Sequence, residues 1–251
     1  MGNAQWPEGV GRVLLSSVDS TNAEAFRRAP HLSGPCWILA GEQTAGRGRR
    51  ARAWSSPRGN FYGTLVLQPS EAPQVVALRS FAAALALRDA LATVTGTGAG
   101  LGLKWPNDVL MNGGKVAGIL LESHGAGQGI QALAIGIGVN LIAHPDPVLI
   151  EGSAVPPVSV LSETGCRVSP EAFLDALAPA YSHWENLFVT EGFLPLRAAW
   201  LSHAARLGEK IIARTGNDTR EGIFETVDAE GNLVLRMGMT TLAIPAAEVF
   251  F

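Results

Sequence analysis

The sequence has 251 residues, of which 47% are hydrophobic and 16% are charged, and its formal net charge is −3. This length and apolar content predict one large packed domain, or a large domain with a small companion, and they exclude wholesale disorder. The mild acidity gives no general attraction to nucleic acid or to anionic lipid, so any binding of polyanions must be local.

The first third of the chain predicts strands around one short helix. The motif Thr21-x-x-Glu24 matches a capping box, which would open that helix. Runs of apolar and β-branched residues predict the strands RVLLSS (12–17), CWILAGEQ (36–43) and FYGTLVLQP (61–69).

Between two of these strands lies a stretch with concentrated positive charge, residues 41–63. It holds five arginines against the single acid Glu42: Arg47, Arg49, Arg50, Arg52 and Arg58. A solvated loop or a nucleic-acid patch is one interpretation. A compact anion site is the other, because glycines flanking an arginine let backbone N–H groups approach an anion and guanidinium groups match its oxygens.

The middle of the chain predicts one long helix followed by several short strands. Residues 73–94 are rich in alanine and leucine with helical periodicity. Gly, Pro and Asn then divide the apolar pieces LGLKW (101–105), DVLM (108–111), KVAGILLES (115–123) and IQALAIGIGVNLI (130–142).

The last third begins with a second long helical region, for which Ser169 is the expected N-cap and Pro170 the first helical residue. Pro179 is expected to kink it. A further helix covers residues 194–204, and after residue 207 the pattern changes to alternating strands with the turn signals GND and EGN. We therefore predict an α+β fold with a catalytic domain at 1–206 and a small β unit at 207–251.

Two cysteines, Cys36 and Cys166, show no metal-binding or disulfide spacing, and the N-terminal residues lack the pattern of a signal peptide. The longest apolar stretch, residues 130–143, is too short for a membrane span. These features predict a cytoplasmic protein that does not bind membranes.

Three further motifs each have a functional and an ordinary interpretation. KWPNDVLMNGGKVAGILLES (104–123) predicts a hairpin that brings Lys115 near the Pro-Asn-Asp turn, although a lysine beside an NGG turn is usually just exposed. DSTN (19–22) alone is a helix cap. The alternating glycines of IGIGVN (135–140) permit either close approach of a flat ligand or tight packing of the sheet.

Taken in order, DSTN, EQTAGRGRRARAW, KWPNDVLMNGGKVAGILLE and GIGVN resemble the motifs of the biotin–protein ligase family, and the similarity covers nearly the whole chain. The resemblance implies a mixed β-sheet flanked by helices, like that of class II aminoacyl-tRNA synthetases, with a C-terminal SH3-like β-barrel. It also implies an ATP-dependent ligase that makes biotinoyl-5′-AMP with Mg²⁺ and transfers biotin to a lysine of a biotin carboxyl carrier protein.

The resemblance implies roles for residues that would surround biotin. Ser20, Thr21 and Asn22 would line its pocket, and Gln43 would contact the ureido ring system. Tyr62 would help to wall the apolar end of the pocket.

The same resemblance assigns the arginine stretch to a loop over the activated phosphate. Arg47, Gly48 and Arg49 would fold over biotin and this phosphate, with Gly46 giving close backbone approach. Trp54 would pack over the loop, which is expected to be mobile without ligand and ordered with biotinoyl-AMP.

The central hairpin and the last strand would complete the site. Lys115 would lie against the biotin carboxylate and the α-phosphate, and Gly118 and Leu120 would bring backbone close to the ligand. Asn140 would hydrogen-bond the adenine. Asp108 would either orient the acceptor amine or simply hold its turn. No side chain is assigned to a protein-bound metal ion.

The chain departs from the family pattern in two places. Ala51 stands where a glycine is commoner, which leaves the path of the loop open. Only nineteen residues precede Ser20, so we expect no DNA-binding domain and no repressor activity. Relatives pair through the central sheet, but the sequence leaves the oligomeric state open.

Three other functions match part of this pattern. A lipoate–protein ligase shares the fold and the adenylate chemistry, but the RRxSGGG motif is missing. A non-catalytic biotin sensor would be expected to carry a DNA-binding domain. An RNA-binding module would need aromatic side chains interleaved with the arginines.

Overall fold

The structure is a computed structural model that describes residues 5–125, 129–146, 155–216 and 218–251. Its centre is a seven-stranded sheet with the spatial order β1 (Gly11–Leu15), β2 (Cys36–Ala40), β3 (Phe61–Leu67), β7 (Ala132–Val139), β6 (Gly114–His124), β5 (Asp108–Met111) and β4 (Leu101–Lys104). β1 and β2 are parallel and the other neighbours are antiparallel, so the predicted mixed sheet is confirmed.

Six α-helices accompany this sheet within the described ranges: α1 (Thr21–Arg28), α2 (Pro73–Ala77), α3 (Arg79–Thr95), α4 (Val160–Thr164), α5 (Pro170–Glu191) and α6 (Phe193–Ser202). The helix predicted over 73–94 is therefore two helices that meet at Leu78, and α3 ends at Gly96 in the left-handed conformation that glycine favours. α5 begins as predicted, because Ser169 accepts a hydrogen bond from the Ala172 N–H. It continues through Pro179 as one helix.

The two faces of the central sheet bury different sets of side chains. Trp37 and Leu39 of β2 face the main core with α3 and α5, whereas Ile38 faces a smaller core under α1. On β7, Ile135 and Ile137 face the main core. Because strand side chains alternate, the glycines between them face the α1 side, where they leave room for the candidate site.

The C-terminal part forms a five-stranded antiparallel sheet with the order β11 (Thr240–Ile244), β10 (Leu233–Met237), β9 (Thr219–Val227), β8 (Lys210–Arg214) and β12 (Glu248–Phe250). The predicted strands are confirmed, but this order leaves β11 and β12 as edges within the described residues, so closure into a barrel stays a prediction. Residue 217 of the predicted GND turn lies outside the described residues.

The C-terminal sheet packs directly on the helical layer. Phe224 of β9 contacts Trp200 of α6 edge-on, with ring centroids 6.4 Å apart, and both belong to the main core. The Trp105 indole donates a hydrogen bond of 3.1 Å to the Gly231 carbonyl. The apolar core therefore continues across residue 207, and the predicted domain boundary there stays a prediction. Nowhere in the described ranges is there a helix with the length and apolarity needed to cross a bilayer.

Candidate active site

A cavity of about 400 Å³ opens on the α1 side of the central sheet. α1, the arginine loop (residues 44–56), β6, β7 and β12 surround it. Most of the predicted site residues line this cavity: Ser20, Thr21, Asn22, Gln43, Arg47, Gly48, Arg49, Trp54, Asp108, Lys115, Gly118, Leu120 and Asn140. Segments that are far apart in the sequence thus meet at one cavity. Arg47 and Lys115, which were both expected to contact the same ligand, lie on its wall.

Two predicted residues lie away from the cavity wall. Tyr62 is buried, its hydroxyl donates to the Pro57 carbonyl over 2.7 Å, and burial raises its pKa. A Cβ on Gly46 would lie 2.7 Å from Ser56 Oγ and 2.8 Å from the Trp54 carbonyl oxygen. Gly46 is therefore explained by packing at the base of the loop rather than by an anion.

The start of α1 forms a polar corner of the cavity. Ser20 is the N-cap residue, but within the described residues its side chain makes no capping bond. The Thr21 N–H and hydroxyl both donate to Gln43 Oε1, at 2.8 and 3.0 Å. The capping box predicted from Thr21 and Glu24 is wrong, because the threonine is held by Gln43 instead.

Thr64 of β3, which the sequence did not indicate, completes this corner. It is fully buried, and its hydroxyl lies 2.8 Å from Thr21 Oγ1 and 2.6 Å from Asn22 Oδ1. An Ala in place of Gly136 would put its Cβ 2.3 Å from Asn22 Oδ1. The corner is thus a set of uncharged groups locked by mutual hydrogen bonds.

Glu122 of β6 connects the polar corner to the arginine loop. Asn22 Nδ2 donates to Glu122 Oε2 over 2.7 Å, and Arg47 forms an ion pair with the same carboxylate at 3.2 Å. Sequence analysis missed this acid. Alternate residues of a strand share one face, so Glu122 lies on the same face of β6 as the predicted Gly118 and Leu120. This alternation could have identified it.

Arg49 is the cation with the least compensation in the cavity. Its guanidinium donates to Asn107 Oδ1 over 3.3 Å, and no carboxylate of the described residues forms an ion pair with it. Burial lowers its pKa, opposed by the charge of Asp108. A half-buried guanidinium without an acid partner is suited to bind an external anion.

The other three arginines of the stretch pair with carboxylates. Arg58 forms an ion pair with Glu42 outside the cavity, at 3.0 Å. Arg50 and Arg52 form ion pairs with Glu248 of β12. Three of the five arginines, Arg47, Arg49 and Arg52, therefore line the cavity. Four of the five form ion pairs with carboxylates of the described residues, and Arg49 is the exception.

The backbone of the loop also differs from the expected anion cradle. The Gly48 N–H donates to the Arg52 carbonyl over 2.8 Å, and the Trp54 N–H donates to the Gly46 carbonyl over 2.9 Å. The loop uses these groups to fold on itself. Positive charge in the cavity therefore comes from side chains.

The predicted hairpin brings two lysines to one carboxylate. Its turn has positive φ angles at Asn112 (50°) and Gly113 (83°), as in the tight turns that favour Asn-Gly. Lys115 Nζ lies 2.7 Å from Asp108 Oδ1, and Lys104 Nζ lies 3.9 Å from Oδ2. Burial lowers the pKa of Lys104, and the charge of Asp108 opposes this shift.

Trp54 covers the glycines of the sheet. A Cβ on Gly138 would lie 2.6 Å from Trp54 Cε2, and a Cβ on Gly118 would lie 3.3 Å from Cζ3. Lys115 Nζ is 5.6 Å from the centre of the indole. The indole nitrogen is buried and donates to no atom of the described residues. The flat group that these glycines admit is therefore the side chain of Trp54.

The close contact between Gly138 and Trp54 leads to a first prediction. Gly138→Ala should destabilise the protein by about 1–3 kcal/mol, because the added methyl overlaps the indole of Trp54. Gly102→Ala in β4 is the matched control, since its Cβ would meet the nearest atom, Ala205 Cβ, at 3.7 Å. Denaturant unfolding of both variants measures the difference, and equal stabilities would contradict this account of Trp54.

Two other features complete the site. Asn140 donates from Nδ2 to the Val158 carbonyl over 3.0 Å, so its amide is already held at the cavity wall. Glu248, Val249 and Phe250 of β12 form another wall that the sequence did not predict. Among the described residues, no three His, Cys, Asp or Glu side chains are grouped so that they could hold a metal ion.

Comparison with known proteins gives the same family for both parts of the chain. The sequence profile of the Biotin/lipoate A/B protein ligase family matches residues 11–140, and that of the Biotin protein ligase C terminal domain matches residues 207–251.

Relatives and a solved structure agree with these profiles. The chain is 59% identical over 238 residues to the biotin–[acetyl-CoA-carboxylase] ligase of Paracoccus denitrificans, covering 95% of this chain and 99% of the relative. It is 30% identical to the bifunctional ligase/repressor BirA of Bacillus subtilis, covering 94% of this chain and 71% of the relative. The biotin protein ligase of Aquifex aeolicus in complex with biotin and ATP superposes with a TM-score of 0.81 at 25% identity, covering 95% and 97% of the two chains. The chain belongs to the biotin protein ligase family.

Proposed function

We propose that this protein is an ATP-dependent biotin–protein ligase. In the first step, a biotin carboxylate oxygen attacks the α-phosphorus of ATP, the bond to the β-phosphate oxygen breaks, and pyrophosphate leaves with the bonding electrons. In the second step, a lysine amine of a carrier protein attacks the acyl carbon, AMP leaves, and the amine loses a proton. The family membership and the names of the relatives support this assignment.

The carrying observation is that uncharged hydrogen-bonding groups and cationic side chains line one cavity. Thr21 and Asn22, which Thr64 holds from behind, offer hydrogen-bonding groups without net charge, and such groups suit an uncharged ureido ring. Arg49 and Lys115 supply positive charge along the same wall. A ligand that is neutral at one end and anionic at the other fits this arrangement, and biotin is such a ligand.

Positive charge is needed because the reacting groups repel each other. Two unit negative charges at about 4 Å oppose each other by about 4 kcal/mol at an effective dielectric constant near 20. Arg47, Arg49 and Lys115 would offset this repulsion and stabilise the charge that develops on phosphorus and on the departing pyrophosphate.

Mg²⁺ is proposed to arrive with the triphosphate. Mg²⁺ is commonly held by substrate phosphates, water and one or two carboxylates rather than by an all-protein cage. When bound, the ion would neutralise phosphate charge.

The acceptor is proposed to be the biotin carboxyl carrier domain of a carboxylase, on the basis of the name of the Paracoccus relative. The cytoplasm is proposed as its compartment, in line with the two free cysteines. The sequence leaves open whether the protein forms a homodimer.

The deciding experiment mixes the purified protein with ATP, Mg²⁺, a carrier domain and either biotin or lipoate. Pyrophosphate release and carrier biotinylation with biotin alone would support the proposal. Transfer of lipoate instead would favour the rival ligase, and binding of biotin without pyrophosphate release would favour a sensor.

Asp108 provides a prediction about the second step. Asp108→Asn should form the adenylate but slow its transfer to the carrier by about 10²-fold, because a carboxylate that orients the amine is lost. Single-turnover transfer from preformed adenylate measures this step. Unfolding of the same variant tests the turn-holding alternative, and transfer at the wild-type rate would remove Asp108 from the mechanism.

A further inference from the structure

The tip of the arginine loop is held by one carboxylate from the other sheet. Arg50 Nη1 lies 2.9 Å from Glu248 Oε2, and Arg52 Nη1 lies 2.5 Å from Oε1 of the same residue. Each carboxylate oxygen therefore receives a different guanidinium. More than 190 positions of sequence separate the loop from this acid, so the contact is wholly tertiary.

The backbone at this tip needs such an external contact. Arg50 and Ala51 have φ angles of 56° and 57°, in the left-handed region that residues with side chains rarely adopt. Two consecutive residues in this conformation persist only where surrounding contacts determine it. Within the loop, the Gly48–Arg52 hydrogen bond closes the turn but does not attach it to the rest of the protein.

Glu248 is a fixed point from which to hold the loop. Its strand, β12, pairs with β8 through the register Glu248–Arg214, and the following Val249 and Phe250 are buried. The carboxylate also lies on the cavity wall. The position of this carboxylate is therefore set by the pairing of β12 with β8 and not by the loop itself.

We propose that Glu248 is a positioning residue that latches the arginine loop shut over the acyl adenylate. This inference rests on the proposed function, because the latch matters where a hydrolysable anhydride must be kept from water. Glu248 touches no reacting atom. It acts through its ion pairs with Arg50 and Arg52. When these pairs form, the loop is closed, and Arg47 and Arg49 line the cavity.

The test uses Glu248→Gln, which keeps the shape of the side chain and removes its charge. Limited trypsin digestion of the ligand-free protein measures cleavage after Arg49, a site that every variant retains. We expect cleavage about fivefold faster than in the wild type, as for the loss of two partly exposed ion pairs. Hydrolysis of the preformed enzyme-bound adenylate to biotin and AMP should accelerate by a similar factor.

Glu209→Gln is the matched control. Glu209 belongs to the same part of the chain and forms an ion pair with Arg206 at 2.7 Å, but it lies off the cavity wall. This variant should digest at the wild-type rate. Equal digestion of Glu248→Gln and the wild type would overturn the latch.

A variant with Arg50→Gln and Arg52→Gln tests the same contact from the loop side, where a folding defect of β12 cannot intervene. It should open to the same extent, and adding Glu248→Gln should open it no further. Wild-type digestion of this loop variant would refute the latch. Digestion does not depend on catalysis, so the two proposals can fail separately. If the variants digest as expected but the wild type releases no pyrophosphate, the proposed function is refuted and the latch is not.

Discussion

Lys115→Ala is expected to reduce formation of biotinoyl-AMP by about 10²- to 10³-fold, the usual effect of removing one group that stabilises charge in a transition state. Lys115 Nζ is placed by Asp108 at 2.7 Å and lies over the indole of Trp54. In this position the ammonium would meet both the biotin carboxylate and the α-phosphate. Biotin-dependent pyrophosphate release measures the loss.

The same substitution should change stability little. The Lys115 side chain is 30% exposed, and Asp108 keeps Lys104 nearby after the substitution. Partly exposed ion pairs contribute about 1 kcal/mol or less. Lys210→Ala, which removes an exposed lysine of β8, is the control and should retain full activity. Normal adenylate formation by Lys115→Ala would end the assignment of this lysine.

Arg49→Met should separate activity from stability. Methionine preserves much of the side-chain volume but removes a half-buried charge that has Asn107 as its polar contact. Since burial of a charge without a partner costs free energy, the melting temperature should stay level or rise by about 2 °C. Adenylate formation should nevertheless fall by about 10²-fold, because the group that meets phosphate is gone.

Arg58→Met is the matched control for Arg49→Met. Arg58 lies in the same stretch but is 66% exposed and forms its ion pair with Glu42 away from the cavity. Its replacement should leave pyrophosphate release unchanged. A clear drop in melting temperature for Arg49→Met with full activity would show that Arg49 supports the fold and not the reaction. Thermal unfolding and pyrophosphate release on the same preparations decide between these outcomes.

Local sequence patterns predicted those features of the site that depend on one hairpin or one strand. The Asn-Gly turn predicted the hairpin that brings Lys115 to Asp108, and strand alternation explains why Gly118 and Gly138 share the cavity face. Such features depend on neighbours within one hairpin or one strand. They could therefore be predicted before the fold was known.

Tertiary partners could not be predicted in this way. Thr21 forms its hydrogen bonds with Gln43 instead of capping its helix. Gly138 makes room for Trp54 rather than for a ligand. Strand alternation is enough to place Glu122 on the cavity face, but its partners Arg47 and Asn22 come from distant segments and could not be predicted.

The distribution of lysines allows acylation of the protein itself to report release of the acyl adenylate. The sequence contains three lysines. Lys104 and Lys115 line the cavity with side chains 11% and 30% exposed, whereas Lys210 is 71% exposed. An acyl adenylate that escapes into solution acylates any accessible amine, so Lys210 is the side chain of this chain most open to it. The intact mass of the enzyme would then report how often the intermediate is released before a carrier arrives.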